Sequence, residues 1–199
     1  MGWLLRKLLN LGALVLFLGV VGLASLRWIP FPPRPVLEAA FSGQPYQWKW
    51  LSEQQQPLPL REAFAWYSTR TLRAEKPSLA ELTARYMFFS EDTPSWLVKL
   101  VGALLEPLWG QDRVLTYYLN AIPFRGAEDL PVYGVGAASR YLYRRLVEEL
   151  SPREWAELVV RQRWPSLEEP LPTALQASYG QVYRFLLAKQ ADHGSQAWW

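Results

Sequence analysis

Acid–base chemistry in this chain falls to carboxylates, with Lys, Tyr and Ser in support. The sequence of 199 residues holds no cysteine and a single histidine, His193, close to the C-terminus. Thiol nucleophiles, disulfide scaffolds, iron–sulfur clusters and cysteine zinc sites are therefore excluded. A histidine triad or multi-histidine metal site would depend on His193 alone. No cofactor is implied, and a need for a divalent metal stays open. The acids are scattered. Two Glu-Asp pairs, Glu91-Asp92 and Glu128-Asp129, fall between helical stretches and read as solvated loop acids. Glu62 reads as a surface residue of its helix.

The elements that must position these residues begin with an apolar segment. From Leu8 to Leu26, 19 positions carry no charge, and only Asn10 and Ser25 are polar. At about 1.5 Å per residue the stretch spans roughly 28 Å, close to the thickness of a bilayer core. Arg6 and Lys7 precede it, and Arg27 and Trp28 follow. The flanks favour an uncleaved anchor with the N-terminus inside and the rest of the chain outside. A cleaved signal peptide is the rival reading. Arg6, Lys7, Arg27 and Arg34 are four of the 21 basic residues, and no acid precedes Glu38. The remaining 17 basic residues face 18 acids, so the exported part is near neutral. The net charge of +3 belongs to the membrane end and is no nucleic-acid footprint.

Four prolines between Trp28 and Pro35 make a stiff spacer, and residues 36–56 show no strong period. Beyond them the pattern is helical, with no convincing strand run or hairpin turn. Helices are expected over 60–72, from Ser78 through Phe89, from Pro94 to about Pro107, over 112–122, 134–150, 151–163 and 173–191. Ser78 with Glu81, and Ser151 with Glu154, read as capping boxes. On the third helix Leu97, Leu100, Val101, Leu104 and Leu105 are expected to face inward. The division is a cytoplasmic stub and anchor (1–29), a Pro-rich spacer and domain entry (30–56), one compact α-helical domain of roughly seven helices (57–192), and a tail (193–199) ending in Trp198 and Trp199.

Glu106-Pro-Leu-Trp109-Gly-Gln-Asp-Arg113-Val-Leu-Thr-Tyr-Tyr118-Leu-Asn120 resembles the family 51 glycosyltransferase segment K/R-x-x-I-L-E-x-Y-L-N. Tyr133-Gly134-Val135-Gly136-Ala137-Ala138-Ser-Arg-Tyr141-Leu-Tyr143 is similar to that family's Y-G-x-x-A-A-x-x-Y-F. Glu149-Leu150-Ser151-Pro152-Arg-Glu154-Trp-Ala156-Glu-Leu158 is similar to L-[ST]-x-x-E-A-A-x-L, and Pro165 follows in place. Pro30-Phe-Pro32-Pro33 and Gln47-Trp48-Lys-Trp50-Leu51 look like the monofunctional biosynthetic peptidoglycan transglycosylases. The resemblance covers about 28–166. It implies a lysozyme-like helical fold behind a single transmembrane helix. It also implies action on lipid II at the outer face of the cytoplasmic membrane, a glutamate as general base, and basic residues for the pyrophosphate leaving group.

The residues carried over depart from the family where chemistry is concentrated. Leu60-Arg61-Glu62-Ala63-Phe64-Ala65-Trp66-Tyr67-Ser68-Thr69 stands where the family has its catalytic Glu-Asp, which puts Ser68 at the place of the general base. An unaided serine hydroxyl is no base near neutral pH. Ser78 and Arg85 keep a hydroxyl and a positive charge of the second motif. Lys99 keeps the base of R-K-x-x-E, but Gly102 replaces its Glu, and Thr116 replaces the Glu before Tyr-Leu-Asn. Ser78, Arg85, Lys99 and Arg113 are thus the substrate-binding candidates, and Glu106, the remaining acid that matches a family position, is the catalytic candidate beside the Ser68 position. Three readings follow: a reduced but active lipid II glycosyltransferase, a non-catalytic tethered scaffold that binds lipid II, glycan or another cell-wall synthase, and a glycan hydrolase lacking a placed acid. The Trp and Tyr residues at helical spacing read as core packing, with a glycan or lipid groove as the alternative.

Overall fold

The structure, a computed structural model, describes residues 49–71, 77–89 and 92–192. The apolar segment 8–26, the proline spacer, Leu72, Glu91, His193 and the terminal tryptophans lie outside the described residues. Among the described residues no helix is long and apolar enough to cross a membrane.

Seven α-helices appear among the described residues: α1 (Leu58–Thr71), α2 (Leu79–Phe88), α3 (Ser95–Trp109), α4 (Gln111–Ala121), α5 (Val135–Tyr143), α6 (Pro152–Val160) and α7 (Thr173–Asp192). Their starts follow local chemistry. Ser78 accepts from the Glu81 N–H and caps α2. Ser151 and Glu154 form the full reciprocal box that opens α6, with Pro152 in its first turn, where a missing N–H costs nothing. Gly110 ends α3 and begins α4 with φ +79°, a backbone conformation that favours glycine. Pro107 lies in the last turn of α3 and does not end it before Trp109.

Two expectations are corrected. The stretch 134–150 is not one helix. Arg144 takes a left-handed conformation (φ 58°) that stops α5. Beyond it Ser139 Oγ donates to the Arg145 carbonyl, and a short 3-10 turn at Val147–Glu149 drops Val147 into the core. Nor is the domain purely helical. Pro123–Arg125 (β1) and Pro131–Tyr133 (β2) pair antiparallel, Phe124 opposite Val132. Three-residue strands that begin with proline are too short to show a period. The chain after α6 extends this ribbon, as the Arg125 N–H donates to the Pro165 carbonyl and the Leu167 N–H donates to the Arg125 carbonyl.

The main core gathers one face of α1 (Leu60, Ala63, Phe64, Tyr67) with Leu115, Tyr118 and Leu119 of α4, the ribbon, and the inner faces of α5, α6 and α7. A smaller cluster joins Ala80 and Ala84 of α2 to Val98 and Leu105 of α3 and Val114 of α4. Here the third expectation fails. The buried line of α3 is Val98, Gly102 and Leu105, while Leu97 and Val101 are half-buried and Leu100 and Leu104 are exposed. The helix is apolar on nearly every side, so its sequence carries no phase. Packing sets the phase through Gly102, where a Cβ would lie 2.8 Å from Glu81 Cα and 2.9 Å from Glu81 N. The α2 and α3 backbones meet at that glycine.

Candidate functional site

Ser68 lies in the last turn of α1, three residues before Thr71, on the same face as Arg61 and Phe64, and it is buried. Its hydroxyl donates to Gln162 Oε1 at 3.1 Å. The Tyr118 hydroxyl donates to the same oxygen at 2.9 Å, and Gln162 Nε2 donates to the Val159 carbonyl at 2.9 Å. One amide thus ties α1, α4 and the end of α6 together. Burial first, and then the neighbouring Tyr86, push the Tyr118 hydroxyl well above its usual range. Tyr118 therefore acts as a steady donor. Among the described residues, the partner of this serine hydroxyl is an amide and not a carboxylate or imidazole that could activate it.

The other sequence candidates disperse. Ser78 is taken up in capping α2 at 3.1 Å. Arg85 is half-buried on α2, beside Tyr86, whose hydroxyl is raised by burial and partly lowered by that guanidinium. Lys99 and Glu106 are exposed on α3. The Arg113 guanidinium stacks 4.9 Å over Trp109, across the break at Gly110, and lies 5.9 Å from Tyr117, one turn further along α4. Trp50 meets Tyr117 edge-on at 4.9 Å, and Phe88 meets Trp109 at 6.2 Å. The aromatics expected in a core thus form, in part, a wall around Arg113. Glu106 is not brought to Ser68, which faces the main core.

The positions where the family motif carries acids are built into the packing. Gly102 carries the α2–α3 contact. Thr116 is buried and donates to the Asp112 carbonyl at 2.9 Å. Its own carbonyl accepts from Asn120 Nδ2 and Gln56 Nε2. Asn120 also exchanges two bonds with the backbone of Leu51 (2.8 and 2.9 Å), which pins the incoming chain to α4. Gly134 approaches so closely that a Cβ there would sit 2.7 Å from the Asn120 carbonyl. The Tyr-Leu-Asn and Tyr-Gly motifs thus meet as scaffold.

Sequence reasoning missed Arg61. Its side chain is 5% exposed, yet it bonds to Glu53 (3.1 Å), and to the Asp112 carboxylate and carbonyl (both 3.1 Å). These residues line a cleft of about 1040 Å³ with Ser52, Gln54–Gln56, Glu148 and Trp155. Arg61, Phe64 and Ser68 share i, i+3, i+7 spacing, and that spacing was the signal that this charge faces inward. Among the described residues no group of three or more His, Asp or Glu gathers to hold a metal ion.

A family model described as "Transglycosylase" matches residues 86–187. The chain belongs to the transglycosylase family. Within that family it is 28% identical to a protein named "Biosynthetic peptidoglycan transglycosylase" from Chromohalobacter salexigens, over 81% of this chain and 91% of that protein. A protein of the same name from Mannheimia succiniciproducens is 30% identical over 54% of this chain and 48% of its own length. One from Shewanella denitrificans is 35% identical over 37% of this chain and 31% of its own. The match to the transglycosylase model runs from the end of α2 into α7 and so begins after Ser68, Ser78 and Arg85.

Proposed function

We propose that this transglycosylase-family chain works in peptidoglycan glycan-strand assembly as a membrane-tethered member that has lost catalysis. Residues 57–192 keep a lysozyme-like domain, and 8–26 hold it on the outer face of the cytoplasmic membrane with the N-terminus inside. The observation that carries the loss is Ser68. The residue at the place of the general base is a buried serine whose hydroxyl is spent on Gln162. Gly102 and Thr116, at the other two acid positions, support it. What remains is a scaffold with basic and aromatic groups at Arg113, Trp109 and Tyr117, suited to holding a pyrophosphate-bearing or glycan ligand, lipid II in particular, or a partner synthase.

The test is polymerisation of labelled lipid II by the purified full chain in detergent, with and without a divalent metal. No glycan polymer is expected in either condition. Processive product would overturn the loss of catalysis and restore the reading as a reduced, active glycosyltransferase.

A further inference from the structure

The cleft around Arg61 lies about two turns along α1 from Ser68 and takes no part in the junction at Gln162. It encloses about 1040 Å³ between the domain entry at Ser52–Leu58, Asp112 in the first turn of α4, and Glu148 and Trp155. Three carboxylates line it, those of Glu53, Asp112 and Glu148, against the single guanidinium of Arg61. Arg61 is already spent on Glu53 and Asp112. Glu148 is exposed, and among the described residues no ion pair or hydrogen bond holds its carboxylate. The cleft therefore keeps a negative excess that its own arginine does not cancel.

Hydrogen bonding in the cleft points the same way. The buried donors of the lining are taken. Trp155 Nε1 donates to the Val147 carbonyl at 2.8 Å. Gln56 Nε2 donates to the Leu51 and Thr116 carbonyls at 3.2 and 3.3 Å, and those two acceptors fix which end of the amide is nitrogen. Gln56 is only 3% exposed, yet its Oε1 accepts no hydrogen bond among the described residues. A buried acceptor in that state is costly, and a donor entering the cleft relieves it. The carboxylate excess requires that donor to be positive. A directly coordinated metal ion does not fit, since among the described residues no three acids gather to hold one. An ammonium can divide its three N–H donors between the amide oxygen and a carboxylate, whereas a planar guanidinium fork is best matched by one carboxylate alone. Leu58, 46% exposed, and Pro57 in the same lining offer apolar surface to an alkyl stem.

We propose that this cleft binds a primary alkyl ammonium, with Gln56 Oε1 and the Glu148 carboxylate as its acceptors and Leu58 beneath its stem. The proposal stands whether or not catalysis is lost. In the test, cadaverine is titrated into the full chain in a zwitterionic detergent and followed by saturation-transfer difference NMR. Nα-acetyl-lysine methylamide presents the same ammonium from a peptide backbone, and 1,5-pentanediol is the neutral analogue. Saturable binding of at least one amine is expected, weakened by added salt and weakened about two- to five-fold in Glu148→Gln. Glu168→Gln removes an exposed carboxylate outside the cleft and should leave the binding unchanged. Glu148 is exposed, so its substitution leaves the packing intact. Binding of cadaverine alone assigns the site to a free amine, and binding of the lysine derivative alone assigns it to a lysine side chain of a peptide. Absence of saturable binding by either amine overturns the proposal, as does undiminished binding in Glu148→Gln. Pentanediol bound as tightly as cadaverine overturns the requirement for charge, and the proposal with it.

Discussion

Gln162 accepts two hydroxyl donors at one oxygen, and this makes the consequences of substitution at Ser68 unequal. Ser68→Ala removes one donor and leaves Tyr118 to satisfy the amide, so a loss of about 0.5–1.5 kcal/mol is expected in urea unfolding. Gln162→Leu strands two buried hydroxyls and should cost more than Ser68→Ala in the same measurement. Ser68→Glu, the substitution that recreates the family residue, drives a carboxylate into the core. Its expected outcome is a loss of several kcal/mol with no gain of lipid II polymerisation. A stable, polymerising Ser68→Glu chain would show that the position opens on a groove. The resemblance marked this position in the sequence. Its burial was not legible, because a serine is small enough to sit on either side of a helix.

At the scale of elements, the capped helices were legible and the phase of α3 was not. Ser151 and Glu154 announce α6 and form the box they promise; Ser151→Ala should cost about 1 kcal/mol. Burial alone would raise the Glu154 carboxyl. Hydrogen bonds from the Ser151 N–H and hydroxyl, with Arg145, outweigh it and hold the carboxyl below the usual range. A lowered folded value means that its contribution is fully present above the ordinary glutamate range, near 4.3, and is lost as pH falls through the folded value. The stability gap between the native chain and Glu154→Gln, read from melting temperature, should therefore shrink as pH drops from about 6 to about 3. For α3 the sequence offered leucines on several faces, and the selection among them came from a glycine. Gly102→Ala places a methyl against the Glu81 backbone and should cost about 1–3 kcal/mol through forced separation of α2 and α3.

For the whole molecule, the unequal clusters imply unequal resistance to opening. The main core draws on α1, α4, α5, α6, α7 and the ribbon, whereas α3 is held by the smaller cluster. Native-state hydrogen exchange should show α3 amides less protected than those of α4 and α6. The number and order of the helices followed from caps and periodicity. The β ribbon did not, because its three-residue strands show no period, nor did the break at Arg144, which a single left-handed residue makes; the buried Arg61 was marked only by its spacing with Phe64 and Ser68. Glu62, read as a surface residue, pairs with Lys189 at 3.2 Å and links α1 to α7.

The contact at Gly102 bears on ancestry as well as on stability. On the proposed loss of catalysis, a reversal would place acids at 68, 102 and 116, the positions that the resemblance marks. At 68 the new side chain displaces the bond to Gln162, at 102 it meets the α2 backbone, and at 116 it replaces a buried hydroxyl bonded to the Asp112 carbonyl. Each single acid is expected to lower stability, read as a reduced unfolding free energy of the three single variants. If catalysis is lost as proposed, this packing acts on the lineage as a ratchet.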